Sequence, residues 1–259
     1  MPASRVSRAA EATAPCALDL AGGILAGWPS FPKRPDAVSV AVALDRRPYA
    51  RVEAGGEGVR LESKDTLLRL EVPRASDLPA TGVGGLVRRV LLALGLESGL
   101  QITTQARVPF EAGLGSAGAL AVALAAAAAR ATGTALSPQS LATLVAQGEE
   151  AATPAAGLAA VWGAVVAAAI PASPGEGERL RVDPGRIEEC MLLVSGSEGG
   201  APAVAGAAIP SEPERAALEE IVALAGRMRD SLAAGRYDDV PALIAAEHEA
   251  RLRLLPSQA

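Results

Sequence analysis

The chain has 259 residues, half of them hydrophobic but only 2% aromatic, and a net charge of −5 at pH 7. That length holds one large domain or two small ones around a substantial core. A single histidine, His248, excludes a multi-histidine zinc site, two cysteines exclude a disulfide-stapled scaffold, and the acidic balance argues against nucleic acid as a partner.

Residues 1–12 are small and polar without periodicity and read as a disordered tail. Leu18–Ala26 is an apolar, strand-like run interrupted by Gly22 and Gly23, and the three prolines of Trp28–Pro35 demand a loop. Val38–Leu44 alternates large and small residues as a strand does. Tyr49–Glu53, Val59–Glu62 and Leu67–Val72 read as further strands, with Gly55–Gly58 as a hairpin turn. This first third is a β meander. A helical period then begins at Gly85 and runs to Leu96, and Gly99–Arg107 returns to strand. Ala117–Thr132 is an alanine-dominated helix closed by Gly133. Ser137 and Pro138 start another helix that runs to about Ala151, where Pro154 breaks it.

Leu158–Ile170 is apolar and of either type. It and Ala117–Ala129 are the longest apolar runs, and both fall short of the roughly 20 residues that span a bilayer. The expectation is a soluble, cytoplasmic protein with no membrane partner. Pro171–Gly177 is the expected domain boundary. Beyond it, Cys190–Ser195 reads as a buried strand, Glu198–Pro213 as loop, and Glu214–Ala234 and Asp239–Leu255 as helices separated by Gly235. The order of elements points to an α+β protein. Asp238 and Asp239 read as an N-cap, and His248 as a surface residue.

The densest chemical signal lies in Val108–Ala119, where a strand feeds a turn with Gly113, Leu114 and Gly115 that opens at Ser116 onto the alanine-rich helix. Backbone N–H groups of such a turn, with a helix N-terminus behind them, suit an anionic phosphate chain. Gly113 and Gly115 allow close approach of phosphate oxygens, Ala117 and Gly118 keep the first helical turn uncrowded, and Ser116 offers a hydroxyl to phosphate or Mg2+. A glycine-rich β-to-α turn kept only for packing is the alternative. The turn is neither a P-loop nor a Gly-x-Gly-x-x-Gly fingerprint.

Pro109 followed by Gly113-Leu114-Gly115-Ser116 and Ala119 resembles the phosphate-binding motif of the GHMP kinase superfamily (galactokinase, homoserine kinase, mevalonate kinase and phosphomevalonate kinase). Pro15–Gly23 resembles that family's first motif, with its nearest likeness in the sugar-kinase branch. The resemblance covers roughly residues 13–259. It implies ATP-dependent transfer of a phosphoryl group to a hydroxyl of a sugar-like small molecule, with Mg2+. A catalytically inactive relative that keeps nucleotide binding, or serves a regulatory or partner-binding role, is the other reading. By resemblance, residues 113–118 hold the nucleotide phosphates and Ser116 binds metal with a glutamate at Glu149 or Glu150. Asp19, Gly22 and Gly23 belong to the substrate side. The implied fold is a two-domain one: an N-terminal domain over residues 13–171 with the β meander, glycine turn and helix, and a shortened C-terminal α/β domain over residues 178–259.

Three departures accompany the resemblance. The family's catalytic Asp corresponds to an alanine (Ala155, Ala156, Ala159 or Ala160), and no acidic residue lies between Glu150 and Glu176. The Arg that usually precedes the first strand is Ala17, and the polar pair that follows the two glycines is Leu25-Ala26. The glycine-rich loop of the family's last motif has no counterpart in the C-terminal region.

Overall fold

The structure is a computed structural model and describes residues 8–27, 36–108, 113–148, 153–170, 176–190 and 210–254. Strand β1 (Arg8–Thr13) takes the place of residues 8–12 of the expected tail, and residues 1–7 lie outside the described residues. It pairs antiparallel with β4 (Tyr49–Ala54), so its backbone groups are satisfied by a ladder. Ala10 and Ala12 pack on the core while Glu11 stays outside. Side chains this small hide the period of two from a reading of hydrophobicity.

Strands β2 (Ala17–Ala21) and β3 (Val38–Ala43) pair antiparallel, with a bulge between Asp19 and Ala21. A short 3-10 turn, Gly23–Gly27, follows β2. Strands β5 (Val59–Ser63) and β6 (Leu68–Val72) form a hairpin, but β4 and β5 do not. Instead β7 (Leu100–Gln105) lies between them, antiparallel to β4 and parallel to β5. The glycines that signal a hairpin wrap over the start of β7. Gly55 N–H donates to the Gly99 carbonyl at 2.8 Å, and Leu100 N–H to the Gly58 carbonyl at 3.1 Å. Gly58 has φ +65°, and a Cβ there would sit 2.7 Å from the Val72 carbonyl oxygen. The resulting sheet has the order β1-β4-β7-β5-β6.

Helices α1 (Gly82–Ala93) and α2 (Ser116–Thr132) pack with this sheet in one core. Helix α1 begins at Gly82, ahead of the expected Gly85. Helix α2 is buried on nearly every side, as a helix apolar all round should be. It also touches α3 (Pro138–Gly148) and α4 (Pro154–Trp162). Pro154 starts α4 rather than ending α3. Thr153 caps the helix by accepting the Ala156 N–H at 3.1 Å, and proline in the first turn loses no intrahelical bond. The apolar run after it divides at Gly163 (φ +60°) into the end of α4 and strand β8 (Val165–Ala169).

The second sheet runs β2-β3-β8-β9, with β9 at Glu178–Leu180. It continues straight across the expected boundary, since β9 pairs with β8. Helices α5 (Pro184–Cys190), α6 (Glu212–Ala233) and α7 (Val240–Leu254) follow. Cys190 thus ends a helix instead of opening a strand, and residues 191–195 lie outside the described residues, as do Trp28, Glu149 and Glu150.

The large–small alternation in β3 now has a cause. Val38, Val40 and Val42, with Val165 and Leu180, pack under Leu224, Met228 and Leu232 of α6. On the other face Ala17, Ala41 and Ala168 leave room for Ala155, Leu158 and Ala159 of α4. Cys16, just ahead of β2, is a buried free thiol whose pKa burial pushes up to about 11. Among the described residues no helix is long and apolar enough to cross a membrane.

Candidate functional site

The glycine turn is pinned from below by β2. Ala17 N–H donates to the Leu114 carbonyl at 3.1 Å, and Leu114 is buried. Gly115 takes φ +62° and ψ +27° as the residue before α2. A Cβ on it would lie 2.9 Å from the Ala17 carbonyl oxygen, so both its conformation and its neighbour call for glycine. Gly113 is also left-handed (φ +69°) and exposed.

The first intrahelical bond near this end runs from Ala119 N–H to the Gly115 carbonyl, at 3.1 Å. The N–H groups of Ser116, Ala117 and Gly118 therefore have no acceptor within the helix. Gly115 offers no capping side chain, and the first turn carries no acidic residue. Ala117 is exposed and Ser116 half-buried, which leaves this end of the helix open to an anion. The sequence-expected phosphate residues 113–118 thus come together as one turn. Ser116 brings its hydroxyl to the same place. Its expected metal partner, Glu150, lies outside the described residues.

The alanines expected at the position of the family Asp occupy α4. Ala155, Ala159 and Ala160 are buried, and only Ala156 is half-exposed. Ala155 N–H lies 3.4 Å from the buried Ser39 hydroxyl of β3, which joins helix and sheet. Ala17, expected at the family's Arg position, belongs to the same apolar cluster as Ala155 and Ala159. Residues far apart in sequence therefore meet in one patch of core.

Ala156 is the third residue of α4, where a carboxylate meets the positive end of the helix dipole. Ala156→Asp is expected to raise stability by about 0.3–1 kcal/mol, measured by urea unfolding at neutral pH.

Asp19, Gly22 and Gly23, the residues expected on the substrate side, join α7 in an ion cluster. Asp19 Oδ2 accepts from the Arg251 guanidinium of α7 at 2.6 Å and from Gly23 N–H at 3.1 Å. Glu247, also on α7, accepts Gly22 N–H at 3.1 Å through Oε1, and its Oε2 lies 2.6 Å from Arg251 Nε. That last contact is an ion pair without hydrogen-bond alignment. Asp19 Oδ1 is buried and has no hydrogen-bond partner among the described residues. Burial pushes the Asp19 carboxyl above its ordinary range, against the opposing pull of Arg251. Glu247 escaped the sequence reading, although its i,i+4 spacing from Arg251 is a visible signal. Asp239 also has a role other than the expected cap: its carboxylate accepts from the Ser231 hydroxyl at 2.8 Å and from Arg236 at 3.3 Å. His248 is exposed, as expected.

The family model of the GHMP kinases N-terminal domain matches residues 82–168, the span that holds α1, β7, the glycine turn and α2 through β8. Among solved structures, a D-glycero-D-manno-heptose 1-phosphate kinase from Bacteriodes thetaiotaomicron is similar with a TM-score of 0.69 at 16% identity, over 95% of this chain and 79% of that one. The mevalonate kinase of Methanococcus jannaschii gives 0.66 at 13% identity, over 98% and 80%. The phosphomevalonate kinase of Streptococcus pneumoniae, in complex with phosphomevalonate and AMPPNP, gives 0.65 at 10% identity, over 94% and 80%. No curated protein matches the chain.

Proposed function

We propose that this chain is a member of the GHMP kinase superfamily that binds a nucleoside triphosphate at the start of α2 and transfers its terminal phosphoryl group to a hydroxyl of a sugar-like small molecule. The observation that carries this reading is the left-handed Gly115 turn, pinned by Ala17, with three N–H groups at the mouth of a long helix that have no acceptor within it. AMPPNP on the pneumococcal relative supports ATP as the nucleotide, and the heptose phosphate kinase supports a sugar-like acceptor.

The donor set fits a polyphosphate: backbone amides, two glycines without side chains, and no carboxylate in the first helical turn. Gly113, Leu114 and Gly115 shape the cradle, while Ser116, Ala117 and Gly118 supply amide donors and hold the phosphates in register. The Ser116 hydroxyl is a hard oxygen ligand suited to Mg2+, with Glu150 proposed as a second. When bound, the metal neutralises charge on the phosphates and polarises the group in transfer. Acceleration then rests on positioning and charge neutralisation by the turn, with no carboxylate base from α4.

A second reading is a nucleotide-binding protein without transfer. The alanine cluster of Ala17, Ala155 and Ala159 favours it, because loss of a general base commonly costs about 10²–10⁴ in rate.

Unfolding with and without Mg-ATP tests both. Nucleotide at about 100 times its dissociation constant adds ~2.7 kcal/mol to stability. Gly115→Ala is expected to abolish that gain, and ADP release on a panel of sugars to accompany it in the native chain. No stabilisation by nucleotide refutes both readings. Stabilisation without ADP release leaves the second.

A further inference from the structure

The outer face of the five-stranded sheet carries charge in two ordered rows. One row reads Glu11, Arg51, Thr103, Glu62, Arg69 across successive strands, and the other Glu53, Gln101, Arg60, Glu71. Opposite charges face each other at three steps, Arg51–Glu11 at 3.1 Å, Arg69–Glu62 at 3.1 Å and Arg60–Glu71 at 3.0 Å, and uncharged Thr103 and Gln101 take the β7 positions between them. The rows end at β6, which among the described residues is an edge strand paired with β5 alone.

The edge has features of an interrupted sheet. Arg69 and Glu71 stand side by side on its outer face, 81% and 68% exposed. Leu68, Leu70 and Val72 alternate with them, only half-covered by the core on the inner face. Leu67, at the head of the strand, is 87% exposed. Edge strands of natural proteins are blunted by proline, bulges, short length or charged side chains. Residues 68–72 have no proline and carry one charge of each sign.

We propose that β6 pairs antiparallel with β6 of a second copy of this chain about a two-fold axis at Leu70. A two-fold contact sets each residue against its mirror partner. With Leu70 opposite its own copy, Arg69 faces the partner's Glu71, and Glu71 faces the partner's Arg69. Leu68 faces the partner's Val72 on the apolar side. Each charge row then runs on without a like-charge step. Glu62 and Arg69 of one copy meet the partner's Glu71 and Arg60, and the symmetric row does the same in reverse. Shifting the register by one residue would set charge against leucine, so the pattern selects this pairing.

Light scattering over a wide concentration range is expected to give the mass of a dimer. Arg69→Glu and Glu71→Arg each enter the interface twice and are expected to weaken it roughly tenfold to hundredfold. An equimolar mixture of the two variants restores complementary charge and is expected to form a heterodimer. The circular dichroism spectrum checks that each variant is folded. Leu70→Cys provides a second route, since opposed residues on paired strands lie within disulfide reach. Mild oxidation is expected to yield a covalent dimer with this variant and none with the native chain. A native chain that is monomeric throughout overturns the proposal. So does a dimer unmoved by both charge changes, or one whose Leu70→Cys variant does not cross-link.

Discussion

Arg251→Met is expected to lower folding stability by about 3 kcal/mol, at the low end for breaking a buried ion cluster because Arg251 keeps 30% of its side chain exposed. The arginine faces two carboxylates, Asp19 and Glu247, whose side chains are only 20% and 5% exposed. Methionine preserves the bulk of the aliphatic stem but leaves both acids without a counter-charge. The loss should depend on pH. Burial already raises the Asp19 pKa in the folded chain above its ordinary 3.8, and removing Arg251 removes what opposes that shift. In the variant the folded state holds a proton that the unfolded state has released, so its stability falls as pH rises from near 3.8 through the raised folded value. Below that window the acid is protonated in both states, and this part of the penalty is absent. Chemical denaturation of native and variant chains from pH 4 to 8 measures the difference directly. An equal gap at all pH values would mean that packing, and not charge, is what Arg251 supplies.

Gly22→Ala is expected to cost a comparable amount, about 3 kcal/mol, through a different cause. Gly22 lies at φ +81°, where a Cβ would stand 2.1 Å from the Val38 carbonyl oxygen and 2.9 Å from the Ala225 Cβ of α6. Neither neighbour is the end of a flexible side chain. Relief requires β2 to separate from β3, or α6 to lift from the sheet. The same shift would also withdraw the Gly22 N–H from Glu247, so the two perturbations meet in one cluster. Combining Gly22→Ala with Arg251→Met should accordingly be less costly than the sum of the two, as a double-mutant cycle by denaturation can report.

The glycine turn ahead of α2 was legible in the sequence because its signal is local. Glycines, serine and the helix they open are neighbours in the chain, and Gly115 takes the conformation that its residue type suggests. The alternation of Val38, Val40 and Val42 with smaller residues was equally plain. Strand β1 was not, since alanine carries too little hydrophobic contrast to mark a face. The position of β7 was hidden for another reason. A four-residue glycine stretch that could close a hairpin can also bridge an intervening strand, and only the Gly99 contacts decide between them. The role of Asp19 was out of reach because its partner lies 232 residues away. The same distance effect concealed that Ala17 and the alanines of α4 share one cluster.

The span from Asp19 to Arg251 has a consequence for how the chain is made. Synthesis at about 5–20 residues per second leaves an interval on the order of ten to forty-five seconds between the emergence of the acid and that of its counter-ion. Through that interval the nascent β2 holds a carboxylate that the finished protein buries. Its strand partner β3 can pair early, but the face that receives α6 and α7 must remain wet. The last helix is therefore the step that commits this sheet to its final form.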